Sequence, residues 1–589
     1  MGWQITDLEI QEVEQLLLPS GCHFADDALK VIRHWDSLDV SACPGSGKTT
    51  VLLAKFKLLV DRMPLDNGAG ICVLSHTNVA INEIKDKLVG YSDTLINYPN
   101  YVGTIQTFID RFVTLPYIRR KAGRSVQVVD DRTYAQHMLH KMGGSAYTTL
   151  AYAVKYNYEN GGNRYSDRIE HAKALYLRSD CALCIKNQQK ALSGTGKPST
   201  LQFIKLIEHL LKDEGIIRYR DAFRYADRAI EQFSEQYTDL FNRRFRYVYV
   251  DEYQDCSDTQ RDILSKLFDP SKCIITHIGD PDQAIYNSSK DQTEDWCPSE
   301  GFLCIASSCR YNQKIADILS PLRKDRGVIN SVLGEEGVNP ILLIYDKKTI
   351  GDVLGKFVLM LEEHGLHDPD GIYKAIGFVR KEDAAGLRIG CYWDGFDGTK
   401  QQQNEYKYWG IIDEICSQLQ QGKLYKAEPL VRKLMCRLFH YAGVTDTKTG
   451  KEYTSSSIRT TLKEKYNDIY TEHILNLVQL TEYNREFVDV VIRTTIDTII
   501  NVETQIMGSI FNSVPAYFIE NSMTEYKVKG DKNVFVEPIR GRRIQFDTVH
   551  GVKGETHDAT LYLETESNRG SDIGRVLCCY GVGKAGSSP

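Results

Sequence analysis

The chain has 589 residues, of which 42% are hydrophobic and 25% charged, and its formal net charge is −6. At roughly 150 residues per unit this ordinary globular balance predicts about four compact units. It excludes long disordered stretches and a uniformly basic coat for nucleic acid, but not a local cationic channel, because binding follows where charge sits rather than its sum. No apolar stretch approaches about 18 residues, and the N-terminus lacks a basic segment followed by an apolar core. Neither a membrane span nor a secretion signal is therefore expected. Fifteen scattered cysteines read as reduced thiols of a cytoplasmic protein. The pair Cys181 and Cys184 has no second Cys or His pair nearby, so no zinc site is expected.

Taken in chain order, the segment Ser37-Leu-Asp-Val-Ser41 reads as a buried strand, and Val51 to Val60 as a helix with Leu52, Leu53, Phe56 and Leu59 on one side. Gly70 to Leu74 is the next strand, followed by a helix through Leu88. From 113 to 235 the pattern turns helical with polar loops. Strands resume at Tyr247–Val250 and Cys273–Thr276. A second mixed region has strands at Ile341–Ile344 and Ala375–Val379, a helical stretch without a convincing strand from 396 to 535, and strands again at Ile544–Val549 and Thr560–Leu563. The fold class is α/β, with two α/β units each interrupted by a mainly helical insertion. The boundaries are 1–112 with 236–330, insertion 113–235, then 331–395 with 536–589, insertion 396–535.

Residues Ala42-Cys43-Pro44-Gly45-Ser46-Gly47-Lys48-Thr49-Thr50 sit between the first strand and its helix, which is the context of a phosphate-binding loop. Two glycines let backbone N–H groups turn inward toward phosphate, and the helix start adds partial positive charge. Lys48 is the expected β/γ-phosphate contact and the Thr49 hydroxyl a ligand of Mg²⁺. The strand Tyr247–Val250 ends in Asp251-Glu252-Tyr253-Gln254-Asp255. Asp251 is the second expected Mg²⁺ ligand and Glu252 the general base for a water. After the strand at 273–276 comes Ile278-Gly-Asp280-Pro-Asp-Gln283-Ala-Ile-Tyr286, in which Gln283 can hydrogen-bond a γ-phosphate. Basic clusters at Arg119-Arg120-Lys121, Arg243-Arg244 and Arg540 to Arg543 fit phosphate contacts and ordinary solvated surface alike.

In this order the motifs resemble superfamily 1 helicases of the UvrD/Rep/PcrA type. Ser75-His-Thr77-Asn78 resembles the DNA-contacting segment after the second strand, and Gly103-Thr104-Ile-Gln-Thr107-Phe108 a further DNA-binding motif with Gln106 in place of His. Ser307-Ser-Cys-Arg310-Tyr-Asn is similar to an element whose arginine contacts the γ-phosphate. Thr548-Val-His550-Gly-Val-Lys553-Gly-Glu555 matches a segment that couples DNA to nucleotide. The resemblance implies two RecA-like P-loop domains of parallel sheets flanked by helices, each with an inserted helical subdomain and with ATP and Mg²⁺ in the cleft between them. It also implies 3′–5′ movement on single-stranded or end-containing DNA. Of the residues it points to, Lys48, Glu252, Gln283 and Arg310 are expected to be catalytic. The loop residues 42–50, Asp251, Gln283, Arg310 and Glu555 are expected to hold nucleotide, with Glu555 near the ribose. Thr77, Asn78, Thr107, Tyr286 and His550 are expected on DNA.

Three features depart from that pattern. Ala28 stands where relatives carry an adenine-reading Gln, which predicts relaxed nucleotide choice. Tyr286 is followed by Asn287-Ser-Ser-Lys290 rather than by a second aromatic and an arginine. No arginine motif follows Glu555, so the second α/β unit reads as incomplete at its C-terminal end, with slow turnover or an arginine supplied by a partner. The segment from Lys553 to Glu564 also resembles the helicase-like component of Gabija-type phage-defence systems. That resemblance implies an alternative function: a nucleotide- and DNA-sensing ATPase subunit regulating an OLD-family nuclease.

Overall fold

The computed structural model describes residues 3–579 except 77–80, 82–93, 95–96, 124–125, 127, 161–167, 179, 187, 189, 285–294, 325–326, 347, 367, 369–370, 380–385, 397–407, 421, 423, 447–452, 454, 481, 505–508, 515, 520–532 and 568–569. By packing, the chain divides into one unit of Met1–Phe378 with Thr548–Pro589 and another of Val379–Asp547.

The first unit is built on six strands: β1 (Leu38–Ala42), β2 (Gly70–Ser75), β3 (Tyr101–Thr104), β4 (Phe245–Val250), β5 (Ile274–Gly279) and β6 (Leu303–Ile305). They form one sheet in the order β6-β1-β5-β4-β2-β3, with every neighbouring pair parallel. A parallel sheet needs crossovers that cover both faces, so its strands are apolar on both sides. The alternation within each strand shows it. Val73, Tyr247 and Tyr249 enter the core that holds the helices Asp7–Leu17, Asp26–Arg33 and Lys48–Val60. Cys72, Leu74, Val248 and Val250 enter the opposite core with Phe108, Val113, Ile230 and Ile263. Each such buried aliphatic contributes about 1.5–3 kcal/mol.

One polar group in the first core has a clear task. The fully buried Lys55 amine donates to Val31 O at 2.9 Å and to His34 O, and lies 4.3 Å from the Trp35 ring. It satisfies carbonyls at the C-terminal end of the helix Asp26–Arg33, while burial lowers its pKa to about 7.

Between β3 and β4 the chain leaves the sheet and forms a separate core around Tyr134, Met138, Leu150, Leu183, Phe203 and Leu206. Its elements are the helices Asp131–Met142, Thr148–Asn160 and Pro198–Lys212 and a hairpin of Leu175–Leu177 with Leu183–Ile185. Arg218 is buried beneath it, bonded to Asp221 at 2.8 Å and stacked 4.8 Å from the Tyr134 ring, and also donates to Leu175 O. The return path is one helix of 26 residues, Tyr219–Arg244. Ala222 packs with Ile118 near the insertion, whereas Ala226, Ala229, Ile230 and Phe241 already belong to the sheet core. The helix breaks register once, at Phe233 (φ −134°), and runs directly into β4.

The rest of this unit contains a parallel pair, Tyr373–Gly377 with Ala559–Leu563. One expectation is corrected here. Ile341–Ile344 is not a strand; it belongs to no sheet, and Ile344 is 90% exposed. An apolar run becomes a strand only when a neighbouring strand takes its N–H and C=O groups, and none does so here.

The second unit is helical, with Tyr408–Gln420, Leu424–Tyr441, Ser455–Lys465, Asn467–Val478 and Arg485–Thr504 around a core of Ile412, Leu434, Met435, Leu438, Val488, Ile492 and Ile496. Val534–Val536 pairs antiparallel with the strand Arg543–Thr548, so a short strand begins inside the mainly helical stretch in which no convincing strand was expected. Among the described residues no helix is long and apolar enough to cross a membrane, and the cysteines are free.

Candidate active site

Loops at the C-terminal ends of parallel strands share one edge of the sheet. The phosphate loop follows β1, the Gly-Asp-Pro turn follows β5, and the acidic pair follows β4. These three strands are adjacent, and β6, which leads to Arg310, flanks β1. Distant parts of the sequence thus converge because the strand order is not the chain order.

The loop is held open by backbone geometry. Gly45 and Gly47 lie at φ +77° and +73°, where a side chain would be strained. At Gly45 an added Cβ would also stand 2.4 Å from Arg310 Cβ, so the glycine is what lets the β6 segment approach. That segment is pinned to the loop: Cys309 N donates to Gly45 O at 2.9 Å, and Ser308 Oγ and Tyr311 Oη donate to Pro44 O at 3.0 and 3.1 Å. Ala42 and Cys43 are fully buried, and Cys43 packs with Ala316 and Ile329. Burial pushes the Cys43 thiol up to about 12, which keeps it protonated and inert at neutral pH. Thr49 and Thr50 occupy the first turn of the helix Lys48–Val60, which has no side-chain cap.

At the centre, Lys48 Nζ lies 3.5 Å from Glu252 Oε1. Burial disfavours the ammonium, but Glu252, Asp280 and Asp251 together outweigh it and hold the Lys48 pKa above its ordinary value. Burial likewise works against the Glu252 carboxylate, yet Lys48, a hydrogen bond from Gln254 and the charge of Lys553 leave its pKa lowered. Glu252 therefore stays ionised, as a proton acceptor must. Its backbone is in the left-handed region, φ +51°, which is uncommon for a residue with a side chain. Asp251, 2% exposed, is fixed by its N–H donating to Leu74 O at 2.8 Å.

The Gly-Asp-Pro turn adds a third acid. Asp280 is fully buried, accepts from Asp282 N at 3.1 Å and from Gln283 Nε2 at 2.8 Å, and burial raises its pKa to about 6 against the pull of Lys48. Lys553 reaches in from the 548–555 segment: its Nζ bonds Asp255 Oδ2 at 2.5 Å and Gln283 O at 3.1 Å.

The nucleotide expected here can be tested against unsatisfied polar atoms. Ser46 Oγ and Lys48 Nζ are buried with no hydrogen-bond partner. A hydroxyl and a cation with spare donors beside inward-turned amides fit an anion rich in acceptor oxygens, such as a triphosphate. Among the described residues no group of three His, Cys, Asp or Glu is placed to hold a metal ion. Thr49 and Asp251 fit the usual manner of Mg²⁺, which takes one or two protein oxygens and completes its shell with phosphate and water.

The structure thus brings Lys48, Glu252, Gln283 and the Arg310 backbone to one place. Glu555 is bonded elsewhere, to Lys374 and, at 3.2 Å, to His557. Burial raises its pKa, but the Lys374 and His557 bonds outweigh burial and keep it ionised. Thr107 is exposed in the first turn of Ile105–Ile109, its hydroxyl 2.8 Å from that of the capping Thr104. His550 is half-buried, its ring 5.6 Å from that of Phe378. Thr77, Asn78 and Tyr286 lie outside the described residues. Sequence reasoning did not nominate Asp280, Gln254, Asp255 or Lys553. Asp280 carried a signal, an acid directly after a buried strand as at Asp251. Gln254 carried only its place in the acidic motif Asp251-Glu252-Tyr253-Gln254-Asp255, which assigned it no role.

Comparison with known proteins agrees with this geometry. Residues 26–290 match the family model described as the UvrD/REP helicase N-terminal domain. The chain is 21% identical over 351 residues to the Gabija protein GajB of Bacillus cereus (strain VD045), covering 56% of this chain and 58% of that one. It is 24% identical over 254 residues to the ATP-dependent DNA helicase PcrA of Leuconostoc citreum, covering 42% and 31%. It is 24% identical over 270 residues to the ATP-dependent DNA helicase UvrD1 of Mycobacterium bovis, covering 44% and 32%. The chain therefore spans less than two thirds of each of these relatives. With a match to the UvrD/REP helicase N-terminal domain over residues 26–290 and a phosphate loop facing an acidic strand end, that part of the chain is similar to UvrD-like helicases.

Proposed function

We propose that the protein is an ATP-driven DNA translocase with 3′–5′ helicase activity. The observation that carries the reading is the ion pair of Lys48 with Glu252 inside a glycine-turned loop that leaves Ser46 and Lys48 with unused donors. In this reading Lys48 and the loop amides hold the β- and γ-phosphates, and Arg310 adds charge at the γ-phosphate. Glu252 takes a proton from the attacking water. Gln283 turns its amide from Asp280 to the γ-phosphate and so reports its presence. Thr49 and Asp251 hold Mg²⁺, which neutralises charge on the phosphates when bound. Thr77, Asn78, Thr107, Tyr286 and His550 contact the DNA strand, and Lys553 links their segment to Asp255. Residues 331–395 with 536–589 form the second RecA-like domain in this reading, with 113–235 and 396–535 as insertions, and the cytoplasm is the setting.

ATP turnover measured with and without single-stranded DNA tests it. DNA-stimulated turnover that disappears in Lys48→Ala supports the reading, and turnover retained by Lys48→Ala sinks it.

One observation favours a second reading. Similarity to GajB runs over 351 residues, further than the 254 shared with PcrA. In that reading the chain senses nucleotide and DNA ends and regulates a partner nuclease. Strand separation on a forked duplex by the isolated chain favours the motor. Absence of unwinding together with stable association with a nuclease favours the sensor.

A further inference from the structure

Gln254 is fully buried, bridges the acidic loop and the Gly-Asp-Pro turn, and has no role in the chemistry described so far. Its Nε2 donates to Glu252 Oε2, and its Oε1 accepts from Asp280 N at 3.0 Å. The fit leaves no slack: a Cβ at Gly279 would stand 2.4 Å from Gln254 Oε1, so that strand end tolerates only glycine while the amide is in place. From Asp280 the bonding continues to Gln283 Nε2, from Gln283 O to Lys553 Nζ, and from Lys553 to Asp255 Oδ2. Asp255 N donates to Glu252 O at 3.0 Å, which closes a ring. Every member lies in one packed unit.

Resting on the ATPase reading above, we propose that Gln254 is a positioning residue that aims the Glu252 carboxylate and ties it, through Asp280, to the amide of Gln283. The argument is one of rotamers and satisfied donors. Glu252, on a left-handed backbone, caps the turn Tyr253–Asp255 without a side-chain cap bond to orient its carboxylate, and Lys48 at 3.5 Å attracts the carboxylate without fixing its plane. The Gln254 donor takes one carboxylate oxygen and leaves the other facing Lys48. Because the opposite end of the same amide holds Asp280 N, movement of the Asp280 turn reaches the base directly. Reorientation of Gln283 releases Asp280 Oδ2, so the ring makes the aim of the base depend on what Gln283 is bonded to. Rings of this kind lose more than the sum of their pairs when one member is removed.

The test is steady-state ATP turnover of the full chain with single-stranded DNA from pH 5.5 to 9, for wild type, Gln254→Leu and Gln254→Glu, with melting temperatures alongside. In Gln254→Leu, kcat is expected to fall about 10²-fold, the cost of a misaimed group, with KM for ATP within about twofold. The acid limb of its profile should move to higher pH, because a donor that stabilised the carboxylate is gone. Gln254→Glu keeps the shape. Its buried carboxyl, beside another, holds a proton into the neutral range and can still donate. Its kcat should therefore approach wild type at low pH and fall as the pH rises. A wild-type kcat and acid limb in Gln254→Leu overturns the proposal. So does an equal loss in both variants at every pH that follows the melting temperature, since that marks a packing role. Wild type without any turnover sinks the ATPase reading, and this proposal with it; an active wild type with unaffected variants sinks this proposal alone.

Discussion

The first unit contains two buried ionic clusters, and they differ in what is left over. In the insertion, Arg218 is paired with Asp221, bonded to Leu175 O and covered by Tyr134; its donors are spoken for within the fold. At the strand ends, Lys48, Ser46, Asp251, Glu252 and Asp280 crowd together, yet Lys48 Nζ and Ser46 Oγ have no hydrogen-bond partner. A buried charge that satisfies itself holds a structure. A buried charge with unused donors can take further hydrogen bonds, and a buried donor left without one costs about 1–3 kcal/mol, more when charged.

The contrast can be broken by mutation, starting with the largest effect. Lys48→Ala should lower ATP turnover by about 10³-fold or more while the protein still folds, read by circular dichroism beside a phosphate-release assay. Glu252→Gln should lower kcat by about 10²–10⁴-fold and keep nucleotide binding, measured with a fluorescent ATP analogue; unchanged kcat would remove Glu252 from the chemistry. Arg218→Leu should do the reverse. It removes the bonds Arg218 makes to the buried Asp221 and leaves that carboxylate the exposed Arg224 at 3.9 Å, at up to about 3–5 kcal/mol, seen as a lower urea midpoint, while turnover per folded molecule stays within about twofold. If turnover collapses without loss of stability, the insertion pair is not merely structural.

The smallest effect is on pH dependence. Asp280 titrates at about 6 when folded, against about 3.9 when unfolded. Between those values the folded state holds the extra proton at this group, so the contribution of Asp280 to the stability of the nucleotide-free protein rises as the pH falls through 6 toward 4. Asp280→Asn should flatten that part of the melting-temperature profile, and a profile identical to wild type would contradict the burial of the charge.

Much of the sheet was legible in the sequence because β1, β2, β4 and β5 are covered on both faces and read as short apolar runs. The same signal misled at Ile341–Ile344, where the residues are as apolar but exposed and no strand lies alongside. Composition reports a capacity for pairing, and only the fold supplies the partner. The phosphate loop and the acidic pair were legible because each depends on adjacent residues at a strand end. Gln254 was not, because its partners Glu252 and Asp280 come from the ends of two different strands, and the bond exists only once β4 and β5 are neighbours. Glu555 likewise has a partner its motif did not announce, Lys374, a residue 181 positions away in the chain.

The helix Tyr219–Arg244 connects this arrangement to the insertion. Its first turn belongs to the insertion, and its last residue is followed at once by the strand that ends in Asp251 and Glu252. The insertion and the strand that precedes Asp251 and Glu252 are thus joined by about 39 Å of helix whose one non-helical residue is Phe233, so the core around Ile118 and the sheet core are bridged by a single element.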